Sequence, residues 1–157
     1  MAVARCRHQR GIGYLTLLLL VFLLSLGAGK AVEVHATRVQ REREAELVDV
    51  GSRYREAIKS YYLSAPDGQR KYPSRLEDLL KDSRHLVVRR YLRRLEPDPM
   101  TSQPFTPLMA PQGGIWGVKS RSPKAPLRLR SPDGVIANGA APRSYGDWRF
   151  VYDGSDR

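Results

Sequence analysis

Residues Ile12 to Gly29 read IGYLTLLLLVFLLSLGAG, a run of 18 residues without a charge. Built as a helix at ~1.5 Å per residue, it covers about 27 Å, close to the hydrocarbon thickness of a bilayer. Its only hydroxyls are Thr16, Ser25 and, at the edge, Tyr14. A helix on the surface of a soluble domain needs a polar face, and this run has none. The pattern therefore predicts a membrane anchor. Arg5, Arg7 and Arg10 precede the run and no acid does. The excess of positive charge on that side places the short N-terminus in the cytoplasm and everything after Lys30 across the membrane. A cleaved secretory signal has the same basic start and apolar core, and Gly27-Ala28-Gly29 would serve as its small-residue cleavage site. A lipoprotein signal fits less well, because Cys6 lies before the apolar run and not after it.

The residues beyond Gly29 favour the anchor, because the helical pattern continues where a mature domain would open with a loop. Leu47, Val50, Tyr54, Ala57, Ile58 and Tyr61 recur at helical spacing and make one apolar stripe. Arg41 to Glu46 is charged at five of six positions, which predicts a solvated segment. Arg38 with Glu42, and Asp49 with Arg53, stand four apart and can pair along the helix. Gly51 is the one weak point inside, and Pro66-Asp67-Gly68 breaks the pattern. The simplest reading is one helix from about Ile12 to about Leu63, apolar all round at first, then polar, then amphipathic.

With 157 residues in all, little more than one modest domain is available beyond that helix. Ser74-Arg75-Leu76-Glu77 has the form of a capping box, with Ser74 as N-cap, and opens a short helix near 75–81. A second short helix is expected near 86–95, with Val87, Tyr91, Leu92 and Leu95 inward and Arg89, Arg90, Arg93 and Arg94 outward. From Gly113 the period changes to two, predicting strands near 114–120, 125–130 and 147–152. Pro126 makes the middle one an edge strand or a strand start. Such a small antiparallel sheet needs a cover on one face, and the stripe Leu47 to Tyr61 is the candidate. The expected class is α+β.

This order of parts resembles the type IV pilin-like family, and within it the pseudopilins of type II secretion. The resemblance begins at Gln9-Arg10-Gly11-Ile12, a short basic leader ending in Gly before an apolar helix. It continues through Tyr61-Tyr62, Tyr72-Pro73, the Leu-rich segment Leu76 to Leu80, and Arg94-Leu95-Glu96-Pro97-Asp98-Pro99-Met100-Thr101. The resemblance implies a pilin-like fold, a long N-terminal helix packed on a small antiparallel sheet. The divisions would be a leader at 1–11, a transmembrane half at 12–29, a stalk and amphipathic half at 30–63, and a periplasmic head at 64–157. It implies cleavage by a prepilin peptidase between Gly11 and Ile12 and N-methylation of Ile12. The implied partners are other pseudopilin subunits, the inner-membrane secretion assembly platform and the lipid bilayer. Such a subunit would be assembled from the inner membrane to drive export across the outer membrane. A minor type IV pilin, or a signal-anchored periplasmic binding or adaptor protein, is the alternative. One departure stands out: members usually carry Glu at the fifth residue after the cut, and that residue here is Thr16. The departure points to a minor or atypical subunit.

Catalytic patterns are missing from the sequence: there is no Gly-x-Ser-x-Gly elbow, no Gly-rich phosphate loop and no His-Glu-x-x-His. His8, His35 and His85 read as solvated residues, and Glu77, Asp78, Asp82, Glu96 and Asp98 as caps and turns. Major pseudopilins hold calcium near the end of the sheet. The acids available there, Asp133, Asp147, Asp153 and Asp156, do not form the dense cluster that calcium uses, so neither metal nor cofactor is expected. Net charge is +11. Arg84, Arg89, Arg90, Arg93 and Arg94 are the densest basic group, a candidate for binding an acidic partner. Nucleic acid is disfavoured because no series of aromatics is interleaved with these arginines.

Overall fold

The computed structural model describes residues 9–66, 68–128, 132, 135–137 and 142–154, with the side chains of 9–12 and 25–34 outside that description. The chain divides into two compact units, residues 1–40 and 41–157. Helix α1 covers Gln9–Leu63. Four short strands come after it: β1 Thr106–Met109, β2 Ile115–Lys119, β3 Ile136–Ala137 and β4 Trp148–Val151. They form one antiparallel sheet in the order β1-β2-β4-β3. Two 3-10 turns, Leu76–Leu79 and Tyr145–Asp147, complete the regular structure among the described residues. The α+β class is as expected.

In the first unit, the described side chains from Gly13 to Leu24 are all exposed. The large apolar ones among them, Tyr14 to Leu24, are 48–68% exposed, so no described residue covers this stretch of α1. Thr16 Oγ1 donates to Gly13 O at 3.1 Å, so its hydroxyl is satisfied within the helix. Among the described residues no helix is long and apolar enough to cross a membrane. The rest of the expected span, residues 25–29, lies where side chains are not described.

In the second unit, the predicted stripe is the core face of α1. Leu47, Val50, Tyr54, Ala57, Ile58 and Tyr61 are all buried, in one cluster with Phe105, Ile115, Val118, Trp148 and Phe150. Val118 pairs with Phe150 across β2 and β4, so the centre of the sheet presents apolar side chains to the helix. Gly51 lies against β4, where a Cβ would overlap the ring of Phe150. Tyr72 is buried, stacks on Tyr62 at 4.6 Å between ring centroids, and donates to Tyr152 O at 3.0 Å.

Strands β2 and β4 fall where alternation placed them. Residues 125–128, the described part of the middle expected strand, are not a strand. The amide of Leu127 donates to the Glu44 carboxylate at 2.9 Å, so it is not available to a sheet partner. Strands β1 and β3 were not expected. Pro107 masks the alternation of β1, and it is tolerated because β1 is an edge of the sheet. The short helix near 75–81 contracts to one 3-10 turn, and its cap is displaced by one residue. Asp78 Oδ2, not the Glu77 carboxylate, accepts from the amides of Ser74 and Arg75, each at 3.0 Å.

The expected helix at 86–95 does not form. Backbone groups there are engaged elsewhere: Asp82 and Arg89 form an antiparallel bridge, and the amides of Tyr91 and Leu92 both donate to Leu79 O. Tyr91, Leu92 and Leu95 pack on the core as expected, but Val87 is 78% exposed. The charged segment 41–46 is not wholly solvated either, because Glu44 is buried.

Candidate functional site

Residues 82–96, whose later part runs beside α1 at Val50 to Ala57, carry the predicted basic residues. Its base is a buried polar knot. Asp82 is buried, and its carboxylate accepts from Arg84 through Nε at 2.9 Å and Nη2 at 2.8 Å, from the Arg84 amide at 3.0 Å, and from Tyr91 Oη at 3.0 Å. Burial pushes the Asp82 carboxyl up, but these hydrogen bonds outweigh it and hold the group at about 2. The Arg84 guanidinium lies 3.5 Å from the centroid of the Tyr61 ring and donates to Tyr61 O at 2.9 Å. That carbonyl belongs to the last turn of α1, which has no basic residue of its own. Arg84 thus supplies both the missing hydrogen bond and the positive charge favoured at a helix C-terminus. Ser64 Oγ and Tyr91 Oη are also hydrogen-bonded to each other, joining the knot to the end of the helix.

Above this base, the chain from Ser83 to Val88 loops out. Leu86 is fully exposed, Val87 nearly so, and Val88 is 47% exposed. His85 turns inward instead: its side chain is 12% exposed, with Nε2 at 3.6 Å from Asp82 Oδ2. It is not the solvated residue expected from sequence. Arg89, Arg90, Arg93 and Arg94 are all exposed, as expected, although on an irregular segment. Arg90, Arg93 and Arg94 join Arg53 along a groove of about 580 Å³ floored by Val50, Tyr54 and Ala57. Arg89 lies on a smaller cleft of about 360 Å³ with Leu86 and Val87. Two carboxylates moderate the groove. Glu96 pairs with Arg53 at 2.6 Å and with Arg94 at 3.6 Å, and Glu56 lines the wall. Burial pushes the Tyr54 hydroxyl up to about 12, so it stays a neutral donor to Glu96 O at 3.0 Å. The predicted basic group therefore splits: Arg84 is structural, and Arg89, Arg90, Arg93 and Arg94 form the accessible set.

The other buried carboxylates hold the fold. Asp98 accepts from the Met100 amide, Thr101 Oγ1 and Ser120 Oγ at 2.7–2.9 Å, tying the turn after Pro97 to the end of β2. Glu44 accepts from Tyr145 Oη at 2.7 Å and the Leu127 amide, and pairs with Arg128 Nε at 3.1 Å. Glu44→Ala would leave the Tyr145 hydroxyl and the Leu127 amide without this acceptor. We expect it to lower stability by about 2–4 kcal/mol, read as a fall in the urea midpoint at unchanged slope. Glu44→Gln, which keeps one acceptor oxygen, should lose roughly half as much.

Asp147 is held below the usual carboxylate range, chiefly by the Ser144 amide, and serves as the cap of its 3-10 turn. Among the described residues no group of three or more His, Cys, Asp or Glu could hold a metal ion. Asp133 and Asp156 lie outside the described residues, as does the leader up to residue 8. Gly11 and Ile12, the expected processing site, fall in the first turn of α1, where side chains are not described.

The sequence did not single out the exposed Leu86-Val87-Val88 tip. Three consecutive apolar residues cannot all face one side of a helix, and that misfit was the available signal for a loop. No family model, curated protein or solved structure matches the chain.

Proposed function

We propose that the chain is a pilin-like structural subunit of a type II secretion pseudopilus, stored in the inner membrane with its second unit in the periplasm. The observation that carries this reading is the bare apolar surface of α1 from Tyr14 to Leu24. An apolar stretch of that size left uncovered marks contact with lipid or with other chains. Its hydroxyl at Thr16 is satisfied by a backbone carbonyl, which suits hydrocarbon. Two further features support the reading. The same helix, at Leu47 to Tyr61, is the cover of a small antiparallel sheet. The Tyr-Pro, Leu-rich and Asp-Pro segments also come in the order of the family.

In this reading a prepilin peptidase cuts between Gly11 and Ile12 and the new N-terminus is methylated. Other subunits and the assembly platform are the partners, and the subunit adds to a filament that drives protein export. An enzymatic role has no part in it. Thr16, neutral and bonded within its own helix, offers no carboxylate to a neighbour's terminal amine. That favours a minor or tip position, or a minor type IV pilin, over a major subunit.

Mass spectrometry of the chain matured in cells that supply a prepilin peptidase tests the proposal. The expected N-terminus is Ile12 with one added methyl group, and Gly11→Ala should leave the precursor uncut. A terminus near Lys30 would identify a secretory signal and remove the filament reading.

A further inference from the structure

We propose that residues 85–94 form a docking surface for an anionic phospholipid bilayer, with Leu86 and Val87 entering the headgroup region and Arg89, Arg90 and Arg93 binding lipid phosphates. The proposal concerns the second unit alone and does not rest on the role of residues 12–29.

Three observations carry it. The first is an outward apolar tip on a fixed base. Leu86, Val87 and Val88 are exposed in sequence, while the bridge between Asp82 and Arg89 closes the loop beneath them. Arg84, hydrogen-bonded to Asp82 and to the end of α1, fixes the base from which this apolar tip projects.

The second is charge. From Ser83 to Leu95 the sequence is SRHLVVRRYLRRL, without an acid. The guanidinium groups of Arg89, Arg90 and Arg93 have no ion-pair partner among the described residues, and Arg94 shares Glu96 with Arg53. Every exposed basic residue of the segment is arginine, whose planar fork matches phosphate oxygens.

The third is residue type. The exposed tip is aliphatic, and the segment's aromatic residue, Tyr91, packs on the core. Protein hot spots are built from Trp, Tyr and Arg in desolvated pockets, with Leu and Val under-represented. A tip that is aliphatic at its apex and cationic at its rim instead matches the depth profile of an anionic bilayer, apolar below and phosphate above.

The test keeps the full chain and separates this contact from any insertion of α1. The chain, with Cys6→Ser and Val87→Cys carrying an environment-sensitive fluorophore, is placed in nanodiscs of neutral phosphatidylcholine. Vesicles of phosphatidylglycerol bearing a lipid-linked quencher are then added. We expect a blue shift and quenching that saturate with vesicle lipid, and neither response with phosphatidylcholine vesicles. Arg89→Gln with Arg90→Gln should raise the lipid needed by roughly tenfold or more. Leu86→Ser should raise it by a comparable factor, with thermal unfolding unchanged because that side chain is fully exposed. A fluorophore at position 87 that stays in water at saturating phosphatidylglycerol overturns the proposal. So does loss of the response on adding double-stranded DNA to which Leu86→Ser binds as tightly as the parent, since that would make the arginines a nucleic-acid surface indifferent to the tip.

Discussion

Gly51→Ala is expected to destabilise the second unit by roughly 2 kcal/mol, although a Gly-to-Ala change inside a helix ordinarily stabilises it by about 1 kcal/mol. The reversal comes from what the helix faces. At Gly51, α1 approaches β4 so closely that a Cβ would overlap several carbons of the Phe150 ring. Phe150 is fully buried among Leu47, Ile58, Val118 and Trp148, so the ring has nowhere to move. Either the helix lifts away, loosening the packing on both sides of the contact, or the ring leaves its rotamer. Overpacking of this kind typically costs about 1–3 kcal/mol, and occasionally more. Gly51→Val adds branching at the same spot, and we expect about 4 kcal/mol or more, a large fraction of the stability of an ordinary domain. The measurement is urea denaturation followed by tryptophan fluorescence. Phe150→Ala alone should be severe, at about 3–5 kcal/mol. In the double variant Gly51→Ala with Phe150→Ala, the new methyl enters space the ring has vacated. The two effects should then fall short of their sum by at least about 1 kcal/mol. Strict additivity would show that the two positions do not touch.

The same glycine shows what the sequence could and could not reveal. The stripe from Leu47 to Tyr61 was legible because a helix buries one face at a fixed period, and no distant partner is needed to see that. Gly51 looked like a weak point because its reason lies about a hundred residues away, in a ring that no local pattern indicates. Glu44 is the polar counterpart. In a run of charges it reads as solvated, and only the fold brings the Tyr145 hydroxyl and the Leu127 amide onto its carboxylate. That capture also explains why the alternating Ala125-Pro126-Leu127-Arg128 does not become a strand. Strands β2 and β4 were legible because both lie within the sheet and alternate. Strand β1 was hidden by Pro107, which an edge position tolerates.

Segment 86–95 misleads in the opposite way. Its Leu and Arg residues favour helix, but propensity is worth only tenths of a kcal/mol per residue. Tertiary hydrogen bonds from Tyr91 and Leu92 to Leu79 O, and the Asp82–Arg89 bridge, override it. The four exposed arginines were legible for a reason independent of the helix: they fall within six residues, 89–94, that include no acid. Arg84 was the exception because the sequence does not show that the last turn of α1 lacks a cap.

Asp82 gives the second large effect, one that can be read as a function of pH. Its carboxyl is held at about 2 against an ordinary value of 3.8. A carboxyl whose folded value lies below its unfolded value makes the folded state bind fewer protons than the unfolded one. Stability from this group is therefore complete above about pH 4 and is lost as pH falls through about 2. The amount is on the order of 2 kcal/mol. The side chain is almost wholly buried, so solvent screening takes little from it.

Protonation would remove the negative charge that Arg84 pairs with, and so weaken the clamp that places a guanidinium on Tyr61 O and on the Tyr61 ring. The end of α1 and the base of the exposed loop should therefore loosen together. Asp82→Ala makes the same loss permanent, leaving Arg84 and Tyr91 without their shared carboxylate. We expect about 3–4 kcal/mol from it at neutral pH. Asp82→Asn keeps the shape but not the charge and should lie between the two. Urea midpoints for the parent and for Asp82→Asn, taken at about pH 6 and about pH 2.5, check the assignment. Asp147 is also held below the usual carboxylate range by its hydrogen bonds, so both proteins should weaken in acid. The gap between them should shrink by on the order of 1–2 kcal/mol as the pH falls. A gap that stays constant would mean that Asp82 does not titrate in this window and that its hold on Arg84 is not what acid releases.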